Sequence, residues 1–251
     1  MKRLLSLAIL AFPLAAFAAD PPKPKYEVKA DHDPNGIGKF YMGREIAHVM
    51  GYQAANWLER KEREKEEEPA KLLKALELKE GMVVADVGAG SGYHSFRMAP
   101  LVGEKGKVLA VDIQPEMLKL IEARAKKENV SNVEGVKSTV DDPKLPAAGV
   151  DLIILVDVYH ELEFPYEMTQ KMVAALKPGG RLVFVEFRME DDKVPIKLVH
   201  KMTEAQAKRE LAHPEFGLAW KETIGTLPWQ HVIVFERRNA EGDAAPRDAS
   251  P

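Results

Sequence analysis

A glycine-rich stretch at residues 86–92 restricts the fold of this chain more than any other feature of its sequence. The stretch reads Asp-Val-Gly-Ala-Gly-Ser-Gly; it follows an apolar run and precedes a segment with helical spacing. Glycine adopts backbone conformations that other residues avoid, and it lets the backbone approach a ligand closely. A strand, a glycine turn and a helix in that order are typical of a ligand-binding βα unit.

Apolar runs and helical stretches alternate downstream of this turn. Strands are predicted at 82–87, 108–112, 133–138, 151–156 and 181–187, with helices at 93–101, 115–128 and 165–176. Several of these strands are apolar throughout, as expected when both faces of a parallel sheet are covered. After a helix that Thr203 caps, strands near 218–225 and 231–237 are expected to pair antiparallel. The sequence therefore predicts an α/β protein with a Rossmann-like, doubly wound sheet.

The residues before this alternation have a different pattern. Apolar positions spaced by three and four predict an amphipathic helix over 43–58, and the mixed-charge block at 59–68 is interpreted as a solvated helical face. Another helix is expected to begin at Pro69. We expect a leader and an N-terminal helical lid over 19–68, followed by the main domain over 69–238.

Both ends of the chain carry compositional signals. A short positive start precedes an almost wholly apolar run at 4–17, and small residues lead to a cleavage site after Ala18. This run is shorter than the roughly 20 residues of a membrane span, although an uncleaved anchor is the alternative. We expect a signal peptide at 1–18, a periplasmic or secreted location, no stable membrane association after cleavage, and a disordered tail at 239–251.

Composition excludes several classes of function. With 36 Lys and Arg against 39 Asp and Glu, the formal net charge is -3, which does not favour a nucleic acid as partner. The chain has no cysteine, so disulfides, thiolate metal sites and cysteine nucleophiles are excluded.

The acid in the glycine stretch indicates the kind of ligand. A dinucleotide fingerprint reads G-x-G-x-x-G, whereas here the third glycine comes one residue early and Tyr93 follows it. Asp86 lies two residues before the first glycine. Its carboxylate does not favour binding of a negatively charged pyrophosphate, but it suits a ligand with an ammonium group. S-adenosylmethionine has an α-amino group, a sulfonium and a ribose. Asp86 would hold the amino group or organise the loop; the alternative is that it only caps the turn.

Acids follow the next two predicted strands. Asp112 ends the second strand, where a carboxylate accepts both ribose hydroxyls and repels a 2′-phosphate. Asp141 and Asp142 follow the third strand, where either would accept a hydrogen bond from the adenine amine. The alternative for these two residues is a plain Asx turn before Pro143.

Residues from about 70 to 190 resemble the class I S-adenosylmethionine-dependent methyltransferases. The resemblance rests on the D-x-G-x-G-x-G loop, the acid after strand two, the segment at 141–146 and the Leu-Lys-Pro-Gly-Gly stretch at 176–180. It implies a seven-stranded sheet with the last strand antiparallel, and it implies transfer of a methyl group to a small-molecule acceptor. Carried over residue by residue, the cofactor-binding residues would be Asp86, Gly88, Gly90, Gly92, Asp112 and either Asp141 or Asp142.

The loop after the fourth strand would face the transferring methyl group. Asp157 and His160 are candidate bases, and Tyr159 would orient the acceptor or contact the sulfonium by a cation–π interaction. The alternative is that His160 and Glu161 open the next helix in solvent. The stretch at 200–202 is interpreted as an exposed polar linker, and the alternative is that it forms part of the rim of the acceptor pocket. No metal is expected, because the Asp-Asn pair that the metal-assisted relatives carry after strand five is replaced by Glu186-Phe187-Arg188.

Two alternative functions remain open at this point. An exported module that binds S-adenosylmethionine or a nucleoside without catalysis would keep the same loop and acids. An NAD-dependent oxidoreductase is disfavoured by the glycine spacing.

Overall fold

The computed structural model describes residues 26–239. The predicted signal peptide at 1–18 and almost all of the predicted tail at 239–251 lie outside the described residues. Within this described part of the chain, no helix is both long enough and apolar enough to cross a membrane.

The described chain begins with a small antiparallel sheet. Its strands are β1 (Tyr26–Val28), β2 (Gly36–Tyr41) and β3 (Arg44–Ala47), in the order β1-β2-β3. Met42 and Gly43 connect β2 to β3 with φ of 48° and 86°, the positive values of a tight two-residue hairpin. The predicted helix over 43–58 is therefore wrong in its first part, because residues 44–47 pair with β2 instead.

Only short helices remain of the predicted lid. A 3₁₀ turn at Tyr52–Ala54 leads into α1 (Ala55–Leu58), α2 (Arg63–Glu66) and α3 (Pro69–Ala75). The helix predicted to begin at Pro69 is confirmed, with the proline in its first turn. The solvated-face interpretation of 59–68 is wrong in part, because Arg63 and Glu67 are only 4% and 2% exposed.

The rest of the described residues form one large sheet with helices and turns between its strands. The strands are β4 (Val83–Val87), β5 (Lys107–Asp112), β6 (Val133–Lys137), β7 (Val150–Val156), β8 (Leu176–Arg188), β9 (Lys201–Met202), β10 (Leu218–Ile224) and β11 (Gln230–Arg237). The α-helices are α4 (Ser95–Val102), α5 (Pro115–Glu128), α6 (Pro165–Ala175) and α7 (Glu204–Leu211). Three 3₁₀ turns lie at Tyr159–Glu161, Leu198–His200 and Pro214–Phe216.

The order of the strands matches the predicted Rossmann-like architecture. The main path is β10-β11-β8-β7-β4-β5-β6. Strands β4 to β8 are parallel to their neighbours among themselves, whereas β11 is antiparallel to both β8 and β10. The seven-stranded sheet with an antiparallel last strand is confirmed, and the two-residue β9 pairs with β8 as an eighth strand.

Successive residues of the central strands enter two hydrophobic cores, one on each face of the sheet. In β4, Val84 joins one core and Ala85 the other; in β7, Leu152 and Ile153 divide in the same way. All four residues have 0% exposure. Because both faces are covered, each central strand is apolar at odd and even positions, which explains the continuous apolar runs in the sequence.

The strand order also determines where a ligand can bind. From β4 the chain continues outward to β5 and β6, and it then returns to place β7 on the other side of β4. In open α/β sheets, ligands bind outside the carboxyl ends of the strands at such a switch point. The glycine loop after β4 and the loop after β7 both lie at this edge.

Candidate active site

A cavity of about 530 Å³ opens at this edge of the main sheet. The loops after β4, β5, β6 and β7 line it, together with the short helices of the lid and the segment at 195–200 that follows β8. The cavity therefore contains the loops that the sequence assigned to the cofactor and the loop that it assigned to the acceptor.

The glycine loop presents bare backbone to this cavity. Gly88 has φ of +77°, and a Cβ there would lie 2.5 Å from both γ-carbons of Val158. Gly90 has φ of +55°, and its Cβ would lie 2.6 Å from Cδ1 of Leu58. Both glycines line the cavity, whereas Gly92 does not and continues towards α4. Side chains at the first two positions would meet neighbours on the cavity wall, which is why the loop requires glycine.

Asp112 connects the end of β5 to the glycine loop. Its Oδ2 accepts the N–H of Gly90 and its Oδ1 accepts the N–H of Gln114, each at 2.8 Å. The carboxyl group lines the cavity, and burial raises its pKa. The structure thus places the Asp112 carboxyl group at the wall of the cavity, and its contact with a ribose stays a prediction.

Asp86 lies beneath the loop and does not line the cavity. Its Oδ2 accepts the Ser95 hydroxyl at 2.6 Å, which ties β4 to the first turn of α4. Burial raises the pKa of Asp86 to about 6, against the opposing hydrogen bond from Ser95. Of the two predicted roles, organising the loop is the one that this position favours.

Asp141 and Asp142 also lie outside the lining of the cavity. Asp141 accepts the Thr139 hydroxyl at 2.8 Å, and Asp142 Oδ1 accepts the N–H of Lys144 at 2.8 Å. The second contact is the Asx turn that was the alternative interpretation. Residues 138–140 line the cavity in their place, so the adenine contact of either acid remains a prediction that this geometry does not favour.

Asp157 lines the cavity at the end of β7. It has φ of 54°, and its Oδ2 accepts Nε2 of Gln230 at 2.6 Å. Its Oδ1 is buried without a hydrogen-bond partner among the described residues. Burial, with added repulsion from Glu67 and Glu186, raises the pKa of Asp157 well above its ordinary value. A carboxyl group with a free buried oxygen and a raised pKa is suited to accepting a proton.

Tyr159 does not occupy the predicted position beside the acceptor. The side chain is 0% exposed, does not line the cavity, and stacks on Phe184 with ring centroids 4.2 Å apart. The predicted role of Tyr159 in orienting the acceptor or contacting the sulfonium is therefore corrected. Its ring faces the core because the 3₁₀ turn at Tyr159–Glu161 sends neighbouring side chains in different directions.

His160 lies at the cavity with both ring nitrogens in contact. Its Nδ1 is 2.5 Å from Oε2 of Glu186, and its Nε2 is 3.2 Å from Nδ1 of His200. Burial by itself would lower the pKa of His160, but the neighbouring Glu186 carboxylate outweighs burial and the pKa is raised. The alternative that His160 sits in solvent is wrong, because the residue is 1% exposed.

Two residues that line the cavity are absent from the main sequence-based interpretation of the site. His200 lines the cavity, and Lys201 and Met202 are buried, so the stretch at 200–202 is not an exposed linker, and the pocket-rim alternative fits His200. Arg63 also lines the cavity, and its Nε donates a hydrogen bond to Oε2 of Glu67 at 2.8 Å. Arg63 lies in no motif and beside no predicted strand end, so only the tertiary contacts reveal it.

The sequence and the fold of this chain are similar to those of known proteins. Residues 78–233 match a family model described as a methyltransferase domain. A solved S-adenosylmethionine-dependent methyltransferase from Aquifex aeolicus is 27% identical, with a TM-score of 0.70, over 75% of this chain and 100% of that one. The YcgJ protein of Bacillus subtilis shares the fold at 14% identity and a TM-score of 0.55, over 68% of this chain and 98% of its own.

Curated relatives match over a shorter region. The ubiquinone/menaquinone biosynthesis C-methyltransferase UbiE of Cronobacter sakazakii is 34% identical over 113 residues, and its Escherichia coli O1:K1 counterpart is 33% identical over the same length. These alignments cover 44% of this chain and 44% of each relative. The chain thus matches less than half the length of these enzymes.

The residues present also fit S-adenosylmethionine. Gly88 and Gly90 have no side chain, so a ligand in the cavity can contact their backbone. The carboxyl groups of Asp112 and Asp157 suit the hydroxyl groups and the cationic groups of S-adenosylmethionine. A match over more than half of the chain agrees with this site and with the sheet order. The chain therefore belongs to the methyltransferase domain family.

Proposed function

We propose that this protein transfers the methyl group of S-adenosylmethionine to a small-molecule acceptor held in the cavity between Asp157 and His200. The observation that carries the proposal is the shared cavity. Gly88, Gly90 and Asp112 line one part of it, while Asp157 and the segment at 195–200 line another. Methyl transfer requires this closeness, since acceptor and sulfonium methyl must be aligned with water excluded.

For methyl transfer, the protein must align the acceptor with the methyl group and remove one proton from a neutral acceptor. A lone pair of the acceptor forms the new bond to the methyl carbon, and the carbon–sulfur bond electrons return to sulfur, leaving S-adenosylhomocysteine. A neutral acceptor then loses a proton, and we assign its removal to Oδ1 of Asp157. A bound sulfonium cation favours the ionised form of this carboxyl group and so offsets the effect of burial.

The walls of the acceptor region suggest its polarity. Met168, Phe187, Pro195 and Ile196 line the cavity together with the histidines. An acceptor with an apolar body and one ionisable hydroxyl fits this lining. The names of the UbiE relatives state C-methylation in quinone biosynthesis, so phenols and enols that accept methyl at oxygen or at carbon are the first compounds to test.

The decisive experiment has two stages. Calorimetric titration with S-adenosylmethionine, with NAD as the control ligand, is expected to show binding that the Asp112→Ala variant weakens. Transfer of labelled methyl to a panel of phenols and enols then separates an enzyme from the non-catalytic binding module. Binding without transfer to any acceptor, or a preference for NAD, would contradict the proposal.

We further propose a periplasmic or secreted location for the mature protein. The charged start, apolar run and small residues ending at Ala18 support it. Cell fractionation with N-terminal sequencing tests this directly. A chain that begins at Met1 and fractionates with the cytoplasm would contradict export.

A further inference from the structure

We propose that His160, Glu161 and His200 bind one divalent transition-metal ion, of the zinc class, at the wall of the cavity. One ligand atom from each residue lies within 4.8 Å of the other two. His160 Nε2 and His200 Nδ1 are 3.2 Å apart, and His200 Nδ1 is 3.8 Å from Oε1 of Glu161. Two imidazoles and one carboxylate form a donor set that zinc and related metals bind in enzymes.

The distance between the two ring nitrogens matches ligation to a single ion. Zinc–nitrogen bonds of about 2.0–2.1 Å at a tetrahedral angle place two nitrogen ligands about 3.3 Å from each other. The observed 3.2 Å between His160 and His200 agrees with this separation. Oε1 of Glu161 is 3.8 Å from Nδ1 of His200, so the carboxylate must move closer to complete the site.

The surroundings hold His160 in the orientation that a ligand needs. Glu186, at 0% exposure, has one carboxylate oxygen 2.5 Å from His160 Nδ1, and its other oxygen accepts the Tyr159 N–H at 2.9 Å. The main-chain carbonyl of His160 accepts Nη1 of Arg44 at 3.1 Å. A carboxylate on the far nitrogen of a histidine fixes the tautomer and directs the other nitrogen at the metal. This support for His160 is the observation, besides the cluster itself, that points to an ion.

Charge balance agrees with a dication. Glu161 and Glu186 bring two carboxylates to this corner of the cavity, and both are largely buried. Arg44 is the nearby buried cation, but its guanidinium is engaged with the carboxylate of Glu210. A divalent ion between the histidines would place positive charge beside both carboxylates.

The site has three protein ligands and faces the cavity. All three residues line it, so a remaining coordination position would be open to a bound molecule. Metal sites of this kind act on substrates, whereas structural sites are closed by a fourth protein ligand. Resting on the proposed function, we assign this position to the acceptor hydroxyl, whose pKa a metal lowers before Asp157 takes the proton.

The sequence-based expectation of no metal concerned a different set of residues. That expectation rests on the missing Asp-Asn pair after strand five, where Glu186-Phe187-Arg188 stands instead. The structure instead joins Glu161 to His160 and to His200, which the chain brings from the 3₁₀ turn at Leu198–His200. His160 and His200 are 40 residues apart, so no short sequence motif indicates that they lie side by side.

The test is metal binding to the untagged full-length protein after treatment with a chelator. We expect Zn²⁺ titration by calorimetry to show one site per chain, and Co²⁺ to produce visible absorption bands. His200→Ala is expected to weaken Zn²⁺ binding at least about tenfold and to abolish those bands, and Glu186→Gln to weaken it by about 10- to 100-fold. His48→Ala, an exposed histidine outside the cluster, is the matched control and should bind like the wild type.

Equal Zn²⁺ affinity in the wild type and in His200→Ala, or Co²⁺ binding without visible bands, would overturn the metal site. Glu161→Gln provides a second ligand variant if His200→Ala does not fold. Binding of S-adenosylmethionine is measured in parallel and should be unchanged in His200→Ala. Loss of metal binding with cofactor binding intact thus separates this inference from the proposed function.

Discussion

Arg44 and Glu210 form a buried, two-pronged ion pair across 166 positions of the chain. Arg44 Nε and Nη2 donate to the two carboxylate oxygens of Glu210 at 2.8 and 2.9 Å. Through the same guanidinium, Nη1 donates to the carbonyl of His160 at 3.1 Å. One arginine of β3 therefore holds the small N-terminal sheet against α7 and against the turn that carries His160.

We expect Arg44→Met to lower the free energy of unfolding by about 3–5 kcal/mol, because it leaves the Glu210 carboxylate buried without its partner. The double variant Arg44→Met/Glu210→Met should recover most of this loss, since no uncompensated charge remains. Urea denaturation of the three proteins measures both values. A double variant no more stable than Arg44→Met would contradict this account of the pair.

Gly88→Ala should abolish binding of S-adenosylmethionine while the protein stays folded. The added Cβ would lie 2.5 Å from the γ-carbons of Val158, and the φ of +77° disfavours any side chain. Gly225→Ala is the matched control, because nothing lies within 4 Å of a Cβ at that position. Calorimetry with circular dichroism distinguishes the two; normal cofactor binding by Gly88→Ala would refute the role of the loop.

Asp157→Asn should lower kcat by about 10²–10⁴-fold, a larger effect than its effect on the affinity for S-adenosylmethionine, because the amide cannot take a proton. Asp141→Asn serves as the comparison, since that exposed carboxylate lies outside the cavity lining. Rates with a phenolic acceptor and binding by calorimetry provide the two readouts. An unchanged kcat in Asp157→Asn would assign proton removal to another group.

Asp86 makes stability depend on pH in a defined direction. Its pKa is raised from 3.8 to about 6 in the folded protein, so the folded state binds the proton more tightly than the unfolded state. The stabilisation that the proton provides is fully present below about pH 4 and is lost as the pH rises to about 6, by as much as about 3 kcal/mol.

Asp86→Asn removes this dependence, because the amide stays neutral at every pH. The free energy of unfolding of the variant minus that of the wild type should therefore increase between pH 4 and pH 7, in the absence of cofactor. Denaturant titrations at the two pH values measure it. A difference that stays constant or decreases would show that burial does not raise the pKa of this carboxyl group.

Some features of the site could be predicted because they are local. The glycines of residues 86–92 and the acid that ends β5 are defined by a strand followed by a turn, and both short-range patterns are readable along the chain. Gly88, Gly90 and Asp112 accordingly line the cavity. The Asx turn at Asp142 was an open alternative for the same reason, since it involves only residues two positions apart.

Features that depend on packing were predicted poorly. The apolar spacing at 43–58 is compatible with a helix, but residues 44–47 pair with β2 through a short hairpin. The arginine of this strand also pairs with Glu210, which lies 166 positions away along the chain. Tyr159 and His160 are adjacent in sequence, yet one ring enters the core and the other reaches the cavity.

The strand–helix alternation, the Rossmann-like sheet and the glycine loop follow from short stretches of sequence, because periodicity and glycine conformation act over a few residues. The set of charged and histidine side chains around the cavity depends instead on the three-dimensional fold. His200, Arg63 and Glu186 come from distant segments, and their burial next to one another follows from how the lid and the segment after β8 pack on the sheet edge. Long-range packing determines such contacts, and the spacing of residues along a chain does not encode it.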